Sequence, residues 1–283
     1  MTNRILEGGY CLNRNCERVK GDEILVSVIT VVYNGEKYLE HTIQSVLDQT
    51  YKNVEYIIVD GGSSDGTLDI IRKYDSQIAY WKSEPDRGIS DAFNKGIALA
   101  TGEVIGILNA DDWYEQDAVA LIVAKYEPDS IVHGNIQYWN ENGSKGAQTR
   151  PNLKMLPLEM SLNHPTTFVS KSLYSKYGVF SLDYKLTMDY HLLLKLYKAG
   201  AKFIFVDHVL TNMRYGGASA NIVACYQEVL KAKNEILGNE NSNRLYYYWT
   251  IIRHTTSKLL SGTPLSFINK AYRTYISPIK KQY

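Results

Sequence analysis

Several features that would assign a chain to a broad class are missing from this 283-residue sequence. It has no run of eighteen apolar residues, so no segment is predicted to cross a bilayer as a helix. The first ten residues, MTNRILEGGY, lack the apolar core of a signal peptide. The net charge of +1 gives no argument for nucleic acid as a partner. We therefore expect a cytoplasmic protein that does not bind nucleic acid.

Cysteine is scarce, and its number is odd. Cys11, Cys16 and Cys225 have no metal-ligand partners at a useful spacing. We expect all three to be reduced thiols in a reducing compartment.

Apolar and amphipathic segments alternate along residues 24–115. Residues 24–33, ILVSVITVVY, form a nearly continuous β-branched run, which is typical of a strand buried on both faces. After it, Leu39, Ile43 and Val46 share one helical stripe. The same patterns predict strands at 54–60, 78–83 and 103–109 and helices at 36–49, 68–74 and 88–100. Such alternation predicts an α/β fold with a mainly parallel, Rossmann-like sheet flanked by helices.

The pattern changes after a predicted helix at 117–126. Shorter, antiparallel strands are predicted at 130–139 and 144–150, followed by a helix at 187–200 and a strand at 202–215. From residue 221 onward the pattern is helical. We therefore predict an irregular N-terminal arm, a main domain with two halves, and a helical extension. Their ranges are 1–23 for the arm, 24–220 for the domain (24–115 and 116–220), and 221–283 for the extension.

Polar residues follow three of the predicted strands. Asn34, Asp60 and the pair Asp111–Asp112 all stand where a strand ends. Parallel sheets bind ligands beyond the carboxyl ends of their strands. We therefore expect these residues to converge at one edge of the sheet.

The adjacent carboxylates of Asp111 and Asp112 allow two interpretations. They could hold a Mg²⁺ or Mn²⁺ ion, which commonly takes one or two carboxylates together with phosphate oxygens. They could equally be a solvated helix N-terminus, where negative charge is favourable. The pair by itself does not decide between these possibilities.

Asp60 precedes a glycine-rich loop, GGSSDGT. Ser63, Ser64 and Asp65 fit the start of the next helix as turn and cap residues. The Asp60 carboxylate, in contrast, could accept hydrogen bonds from a nucleotide base or a ribose. The glycine spacing is not GxGxxG, which argues against a NAD-dependent enzyme.

Five further polar residues have both a functional and a structural explanation. Arg87, just before a helix, could meet a phosphate or a carboxylate, whereas Asp91 fits a solvated helix face. Asp189, in the first turn of a helix, would alone be a helix-dipole acid. Arg214 precedes two glycines, and His164 could contact a ligand or serve as a structural hydrogen-bonding group.

Taken together, four segments resemble the family 2 glycosyltransferases, in particular the bacterial enzymes that build O-antigen, capsule or exopolysaccharide. These segments occur in the family's order at 26–51, 56–67, 86–114 and 187–200. The resemblance implies the GT-A fold, with a nucleotide-sugar half (24–115) and an acceptor half (116–220). It also implies inversion at the anomeric carbon. The donor implied is a nucleotide sugar, by default a UDP-hexose, and the acceptor a growing or lipid-diphosphate-linked glycan.

The resemblance also implies roles for the polar residues at the donor side. Asp60 would contact the base, beside the backbone of Val32 and Tyr33. Asp111 and Asp112 match the metal and diphosphate motif, with Asp112 as the expected direct ligand of Mn²⁺ or Mg²⁺. One departure concerns Asn109, because the family often has Asp at this position, and metal affinity is expected to fall.

Further roles follow from the same comparison of motifs. Asp189 matches the catalytic base, and Arg214 matches a basic loop residue that meets the diphosphate. Arg87 and Asp91 are expected on the donor side. His164 and Trp113 are expected to contact the acceptor.

Two other activities stay open at this point. A nucleotidyltransferase on a similar sheet would favour a glycine-rich, lysine-bearing loop after the first strand, where this sequence has one glycine, Gly35. A catalytically silent nucleotide-sugar binding module would not need Asp60, Asp111, Asp112 and Asp189 together.

The C-terminal segment has no acidic residue after Glu240. Its basic residues are Arg244, Arg253, Lys258, Lys270, Arg273, Lys280 and Lys281. An apolar helical stripe lies among them, formed by Leu245, Tyr248, Trp249, Ile252 and Leu259. Residues 244–281 could therefore contact the inner face of the cell membrane as a peripheral segment. The alternative is a helix packed on its own domain or on a second subunit.

Overall fold

A computed structural model describes residues 5–12, 23–216, 222–260, 267 and 281–282. The strands are β1 (Leu6–Gly8), β2 (Val26–Val32), β3 (Val54–Asp60), β4 (Tyr80–Ser83), β5 (Val104–Asn109), β6 (Trp113–Tyr114), β7 (Ser130–Trp139), β8 (Lys145–Thr149), β9 (Phe168–Ser170), β10 (Lys202–Arg214) and β11 (Lys281–Gln282). The α-helices are α1 (Leu39–Leu47), α2 (Thr67–Lys73), α3 (Ile89–Leu99), α4 (Ala118–Val123), α5 (Lys171–Tyr177), α6 (Met188–Lys198), α7 (Ile222–Leu237) and α8 (Glu240–Leu260). These elements confirm the predicted α/β class.

The first half of the sheet is parallel. β4, β3, β2 and β5 lie side by side in that order, and each neighbouring pair runs in the same direction. Their register brings the carboxyl ends to one edge, since Val32 pairs with Asp60 and Val31 pairs with Asn109. The polar strand ends therefore meet where the alternation of strands and helices predicted.

The second half of the sheet is mixed rather than parallel. β9 lies between β5 and β7 and is antiparallel to both. β10 runs parallel to β7, and β8 runs antiparallel to it, as the two short strands of this region predicted. The prediction of a mainly parallel sheet thus holds for residues 26–109 and not beyond them.

Helices cover both faces of the sheet. β2 is buried along its whole length, and its side chains alternate between the two cores. Val28 belongs to one core together with Ile43 of α1, while Ile29 belongs to the other together with Phe93 of α3. Burial on both faces explains why this strand is continuously apolar.

The N-terminal arm departs from the predicted irregular structure. Residues 6–8 form β1, an antiparallel strand that covers the outer edge of β4. Cys11, which follows it, is disulfide-bonded, so the prediction of a reduced thiol is wrong for this residue. Cys225 is a half-buried thiol on α7, and Cys16 lies outside the described residues. Covering an open sheet edge requires few residues, and three residues are too short to produce a recognisable sequence pattern.

Two other short strands were not predicted. Trp113 and Tyr114 form β6 against β10 instead of opening the next helix, which begins at Ala118. Residues 281–282 form β11 against β8, within a segment predicted to be helical. The remainder of the arm and of the basic tail, including Lys270, Arg273 and Lys280, lies outside the described residues.

The helices of the C-terminal extension pack on the main domain through buried polar groups. The Nη2 of Arg253 lies 2.7 Å from the Oε2 of Glu159. The buried ammonium of Lys233 donates to the carbonyl of Leu158 (3.3 Å) and lies 4.3 Å from the ring centroid of Tyr246. Burial lowers the pKa of Lys233 to about 8. Among the described helices, none combines the length and the apolar character that a membrane span needs.

A substitution at Gly96 can test how closely α3 packs on the sheet. In Gly96→Ala the new Cβ would lie 2.4 Å from the Cγ2 of the fully buried Ile29. Alanine gains about 1 kcal/mol of helix propensity, whereas overpacking a core costs about 1–3 kcal/mol. We therefore expect a lower free energy of unfolding in urea, whereas the exposed control Ala98→Ser should change little. A stabilised Gly96→Ala variant would contradict this packing.

Candidate active site

A cavity of about 790 Å³ opens at the carboxyl edge of the parallel strands. Residues 31–35 line one side of it, together with residues 109–111 at the end of β5. Residues of the second half of the main domain also line it, namely residues 162–165, Lys185, Leu186, Met188 and Asp189. The cavity therefore lies between the two halves of the main domain, and both halves contribute polar groups to it.

The two adjacent carboxylates occupy different environments. Asp111 is half-buried and lines the cavity, whereas Asp112 is 1% exposed and lies beneath it. The Nδ2 of Asn109 donates to the Oδ2 of Asp112 (3.3 Å), and the backbone N–H of Arg214 donates to its Oδ1 (3.3 Å). The Oγ1 of Thr42 donates to the backbone carbonyl of Asp112 (2.7 Å) and anchors the turn. Of the two acids, Asp111 is the one that faces the cavity.

Burial works against the negative charge of both acids. It raises the pKa of Asp111, although the Asp111 backbone N–H and the Arg214 charge offset part of the rise. It raises the pKa of Asp112 well above its ordinary value, and repulsion from Asp111 adds to this effect. A divalent cation at Asp111 would reverse this balance, because it favours the ionised carboxylate.

The oxygen atoms at the end of β5 fit a cation that is coordinated by the protein and by a bound ligand together. The described residues contain no cluster of three or more His, Cys, Asp or Glu side chains that could hold a metal. Close to the two acids, the buried Oδ1 of Asn109 is an acceptor atom that has no hydrogen-bond partner. Mg²⁺ and Mn²⁺ are typically bound by one or two carboxylates and complete their shell with phosphate oxygens and water. The residues present therefore fit such an ion.

Arg214 is not among the residues that line the cavity, although Tyr38, Met213 and Gly216 are. Its guanidinium stacks between the rings of Tyr38 (4.3 Å) and Trp113 (4.6 Å). Side chains alternate along a strand, so Arg214 and Met213 point to opposite faces. The positive charge of Arg214 offsets part of the rise in the pKa of Asp111 and Asp112.

Asp60 is fully buried at the end of β3, and its carboxylate accepts hydrogen bonds from neighbouring residues. Its Oδ2 accepts hydrogen bonds from the backbone N–H of Gly62 (3.1 Å), the backbone N–H of Ser63 (3.0 Å) and the Oγ of Ser83 (2.5 Å). The Oγ of Ser63 donates to its Oδ1. Asp60 thus shapes the loop beside the cavity, and it does not line the cavity itself.

Asp189 and His164 both line the cavity and interact electrostatically. The Oδ1 of Asp189 accepts a hydrogen bond from the backbone N–H of Tyr190 (2.8 Å) at the start of α6. Burial raises the pKa of Asp189, and the nearby His164 offsets part of the rise. His164 stacks on Phe93 (5.3 Å between centroids), and burial lowers its pKa. The site thus pairs a carboxylate of raised pKa with an imidazole of lowered pKa.

The structure brings together half of the residues expected at the site. The cavity is lined by Val32, Tyr33, Asn109, Asp111, His164 and Asp189. Outside its lining are Asp60, Arg87, Asp91, Asp112, Trp113 and Arg214. Arg87 is exposed and its Nη2 donates to the Oδ1 of Asp91 (2.9 Å), while Trp113 packs between His41 and Trp139.

Several cavity residues were missed by the sequence analysis. They include Lys37, Tyr38, Asp86, Tyr138 and Lys185. Lys37 and Tyr38 follow the Asn34–Gly35 break after β2, and Asp86 precedes the Arg87 that was chosen instead. Tyr138 and Lys185 are in the second half, where the strand order was not predicted. The break at Asn34 could have identified the first two.

The family model described as glycosyl transferase family 2 matches residues 27–188. This chain belongs to glycosyl transferase family 2. The resemblance inferred from its motifs is thereby confirmed, and the protein is a glycosyltransferase.

Relatives in bacteria support the same family. An uncharacterized glycosyltransferase of Rickettsia typhi is 33% identical over 218 residues, which cover 72% of this chain and 68% of the relative. A PGL/p-HBAD biosynthesis glycosyltransferase of Mycobacterium bovis is 29% identical, over 70% of this chain and 80% of the relative. A Rickettsia conorii glycosyltransferase is 29% identical over 91% of this chain, which spans 44% of that relative's length.

Solved structures show the same fold. Residues 1–349 of S. aureus TarS, in complex with UDP, superpose with a TM-score of 0.60 at 19% identity, over 90% of this chain and 76% of that one. The mannosyltransferase PcManGT of Pyrobaculum calidifontis, in complex with GDP-Man and Mn²⁺, gives 0.59 at 18% identity, over 88% and 79%. The GT-A fold expected from the sequence, a nucleotide-sugar donor fold, is thus confirmed.

Proposed function

We propose that this glycosyltransferase is an inverting, metal-dependent hexosyltransferase that uses a UDP-linked donor. Its acceptor is a hydroxyl group of a lipid-diphosphate-linked or growing glycan in surface polysaccharide synthesis. The observation that carries the proposal is that Asp111 and Asp189, from different halves of the main domain, line the same cavity. One carboxylate lies where a donor diphosphate would be held and the other where an acceptor would enter.

Asp189 is the proposed catalytic base. In an inverting transfer the acceptor oxygen attacks the anomeric carbon as the bond to the diphosphate breaks, and no covalent enzyme intermediate is needed. The acceptor hydroxyl proton passes to a carboxylate oxygen of Asp189, a step typically worth about 10²–10⁴-fold. The raised pKa of Asp189 suits this role, because it makes the carboxylate a stronger base.

The leaving nucleoside diphosphate carries the charge that develops in the transition state. Asp111 would hold a Mn²⁺ or Mg²⁺ ion, with Asp112 and the Oδ1 of Asn109 immediately behind it. When bound, this ion supplies Lewis-acid stabilisation of the diphosphate. Lys37 also lines the cavity and adds a cation to it.

The relatives support the choice of donor and acceptor. TarS has been solved with UDP and UDP-GlcNAc, whereas PcManGT has been solved with GDP-Man and Mn²⁺. The acceptor half of the cavity contains apolar residues, among them Met160, Leu162 and Leu186, which suit an acceptor with an apolar portion. A nucleotidyltransferase or a silent binding module would have no use for Asp189 at this position.

The first test is a screen of nucleotide sugars with Mn²⁺, using synthetic lipid-diphosphate sugars as acceptors. We expect Asp189→Asn to reduce kcat by about 10²–10⁴-fold, because the amide cannot take the acceptor proton. UDP affinity, measured by calorimetry, should be retained. The exposed Asp183→Asn in the same segment is the matched control. Full transfer activity in Asp189→Asn would refute the assignment of the base.

Metal removal gives a second expectation. EDTA should abolish transfer, and Mn²⁺ or Mg²⁺ should restore it, because both carboxylates and the diphosphate need a cation between them. Asp111→Asn should weaken Mn²⁺ binding in the presence of UDP, which manganese electron paramagnetic resonance can follow. Asp117→Asn, on an exposed turn, serves as the control. Activity that is insensitive to EDTA would contradict the metal role.

The apolar stripe of α8 supports a membrane contact for the same enzyme. Leu245, Tyr248, Trp249, Ile252 and Leu259 are between 54% and 74% exposed. Beside the stripe, Arg253 forms an ion pair with Glu159 of the main domain, and Asn243 and Thr250 are buried residues of α8. Exposed Arg244 and Lys258 flank the stripe. We propose that this stripe rests on an anionic bilayer, where aromatic and cationic side chains are favourable.

Vesicle binding tests this surface. The protein should sediment with vesicles that contain phosphatidylglycerol and much less with pure phosphatidylcholine. The triple variant Leu245→Ser, Trp249→Ser, Ile252→Ser should lose this binding, because it removes the apolar contact. Val223→Ser, an exposed apolar residue on α7, is the control. A variant that keeps its lipid binding but changes from dimer to monomer would identify the stripe as a subunit interface instead.

A further inference from the structure

One side chain of the C-terminal extension, Glu228, forms hydrogen bonds with the backbone that precedes Asp189. The carboxylate of Glu228, on α7, accepts hydrogen bonds from three consecutive backbone N–H groups: Lys185 (3.0 Å), Leu186 (2.9 Å) and Thr187 (2.9 Å). It also accepts one from the Oγ1 of Thr187 (3.2 Å). All three backbone N–H groups of residues 185–187 thus donate to one carboxylate.

This arrangement is strong because the acceptor is charged. Hydrogen bonds to an ionised carboxylate are roughly twice as strong as neutral ones. Burial acts to raise the pKa of Glu228, but the hydrogen bonds from Lys185, Leu186 and Thr187 outweigh it, and the pKa is lowered. Glu228 is therefore an anion at neutral pH and keeps its hold on the segment.

The held segment leads directly to the proposed base. Thr187 is the N-cap residue of α6, and its carbonyl accepts the hydrogen bond from the backbone N–H of His191 (3.0 Å). Asp189 follows two residues later and lines the cavity together with Lys185 and Leu186. Any shift of residues 185–187 therefore moves the carboxylate of Asp189 relative to the anomeric centre.

We propose that Glu228 is a positioning residue, which holds the start of α6 so that Asp189 faces the acceptor hydroxyl. The inference depends on the proposed role of Asp189 as the base. It also gives the C-terminal extension a part in catalysis, since α7 lies beyond residues 27–188 that the family model matches. Glu228 touches neither substrate and acts through the backbone.

The charge of Glu228 has a second effect that a purely structural contact would not have. The titratable groups that face Asp189 are His164, Glu228 and Cys225. Burial raises the pKa of Asp189, His164 opposes the rise, and the negative charge of Glu228 adds to it. Removing that charge should lower the pKa of Asp189, and the acid limb of the kcat–pH profile should move to lower pH.

Glu235 provides a matched control on the same helix. Its Oε2 accepts a hydrogen bond from the hydroxyl of Tyr184 (2.7 Å), and its Oε1 lies 3.2 Å from the Nε2 of His191. It therefore joins α7 to the same region through side chains and leaves the 185–187 backbone untouched. Glu235→Gln should change kcat by less than a factor of about three.

The experiment compares Glu228→Ala, Glu228→Gln and Glu235→Gln in the full-length enzyme. Glu228→Ala should lower kcat by about 10–10²-fold with little change in the donor KM, since misplacing a reacting group by about 1 Å can cost 10²-fold. Glu228→Gln keeps an acceptor oxygen and should recover part of the rate. In Glu228→Gln the acid limb of kcat should move to lower pH, as should the Asp189 pKa measured by ¹³C NMR.

The outcomes distinguish the positioning role of Glu228 from the role of Asp189 as the base. An unchanged kcat in Glu228→Ala, with an unmoved Asp189 titration in Glu228→Gln, would overturn the positioning role even if Asp189→Asn is inactive. An active Asp189→Asn would overturn the base assignment instead. If Glu228→Ala fails to fold by thermal unfolding, the Asp189 titration in Glu228→Gln decides the question, because that readout does not require transfer activity.

Discussion

The arrangement of this enzyme depends on the destabilised pair of carboxylates at the end of β5. Burial and mutual repulsion disfavour charge on Asp111 and Asp112, and the structure compensates with the amide of Asn109 and the cation of Arg214. The compensation is incomplete, because the pKa of both acids stays raised. A site in this condition gains from a cation. That physical need supports the proposed binding of a metal ion and a diphosphate at the acidic pair.

The two sides of the cavity are supported by different parts of the chain. Parallel pairing of β2 with β3 and β5 sets the part of the lining formed by residues 31–35 and 109–111, where strand register places backbone and side chains at one edge. The part that carries Asp189 has no such support from the sheet, because Asp189 stands at the start of a helix. There the backbone is held by Glu228 of α7, so the extension stabilises the wall that the sheet does not reach.

Much of the fold and part of the site could be predicted from the sequence, and the misses have physical causes. The buried strand at 26–32 and the acids that follow strands are local patterns, so they were found. Arg214 was expected near the diphosphate, but Met213 rather than Arg214 belongs to the cavity lining, and the Arg214 guanidinium stacks on Tyr38 and Trp113. Asp60 was expected to contact the base, and its carboxylate accepts hydrogen bonds from Ser63, Ser83 and the Gly62 backbone. Both roles stay predictions.

By itself the sequence determined the α/β class, the positions of the four parallel strands and the family, because hydrophobic periodicity and short motifs are properties of neighbouring residues. Only the tertiary structure decided which of the two acids faces the cavity, since Asp111 and Asp112 are equivalent until the turn after β5 buries one of them. It also decided the partner of residues 185–187. Glu228 is more than forty positions from Leu186, and no local pattern encodes such a distant contact.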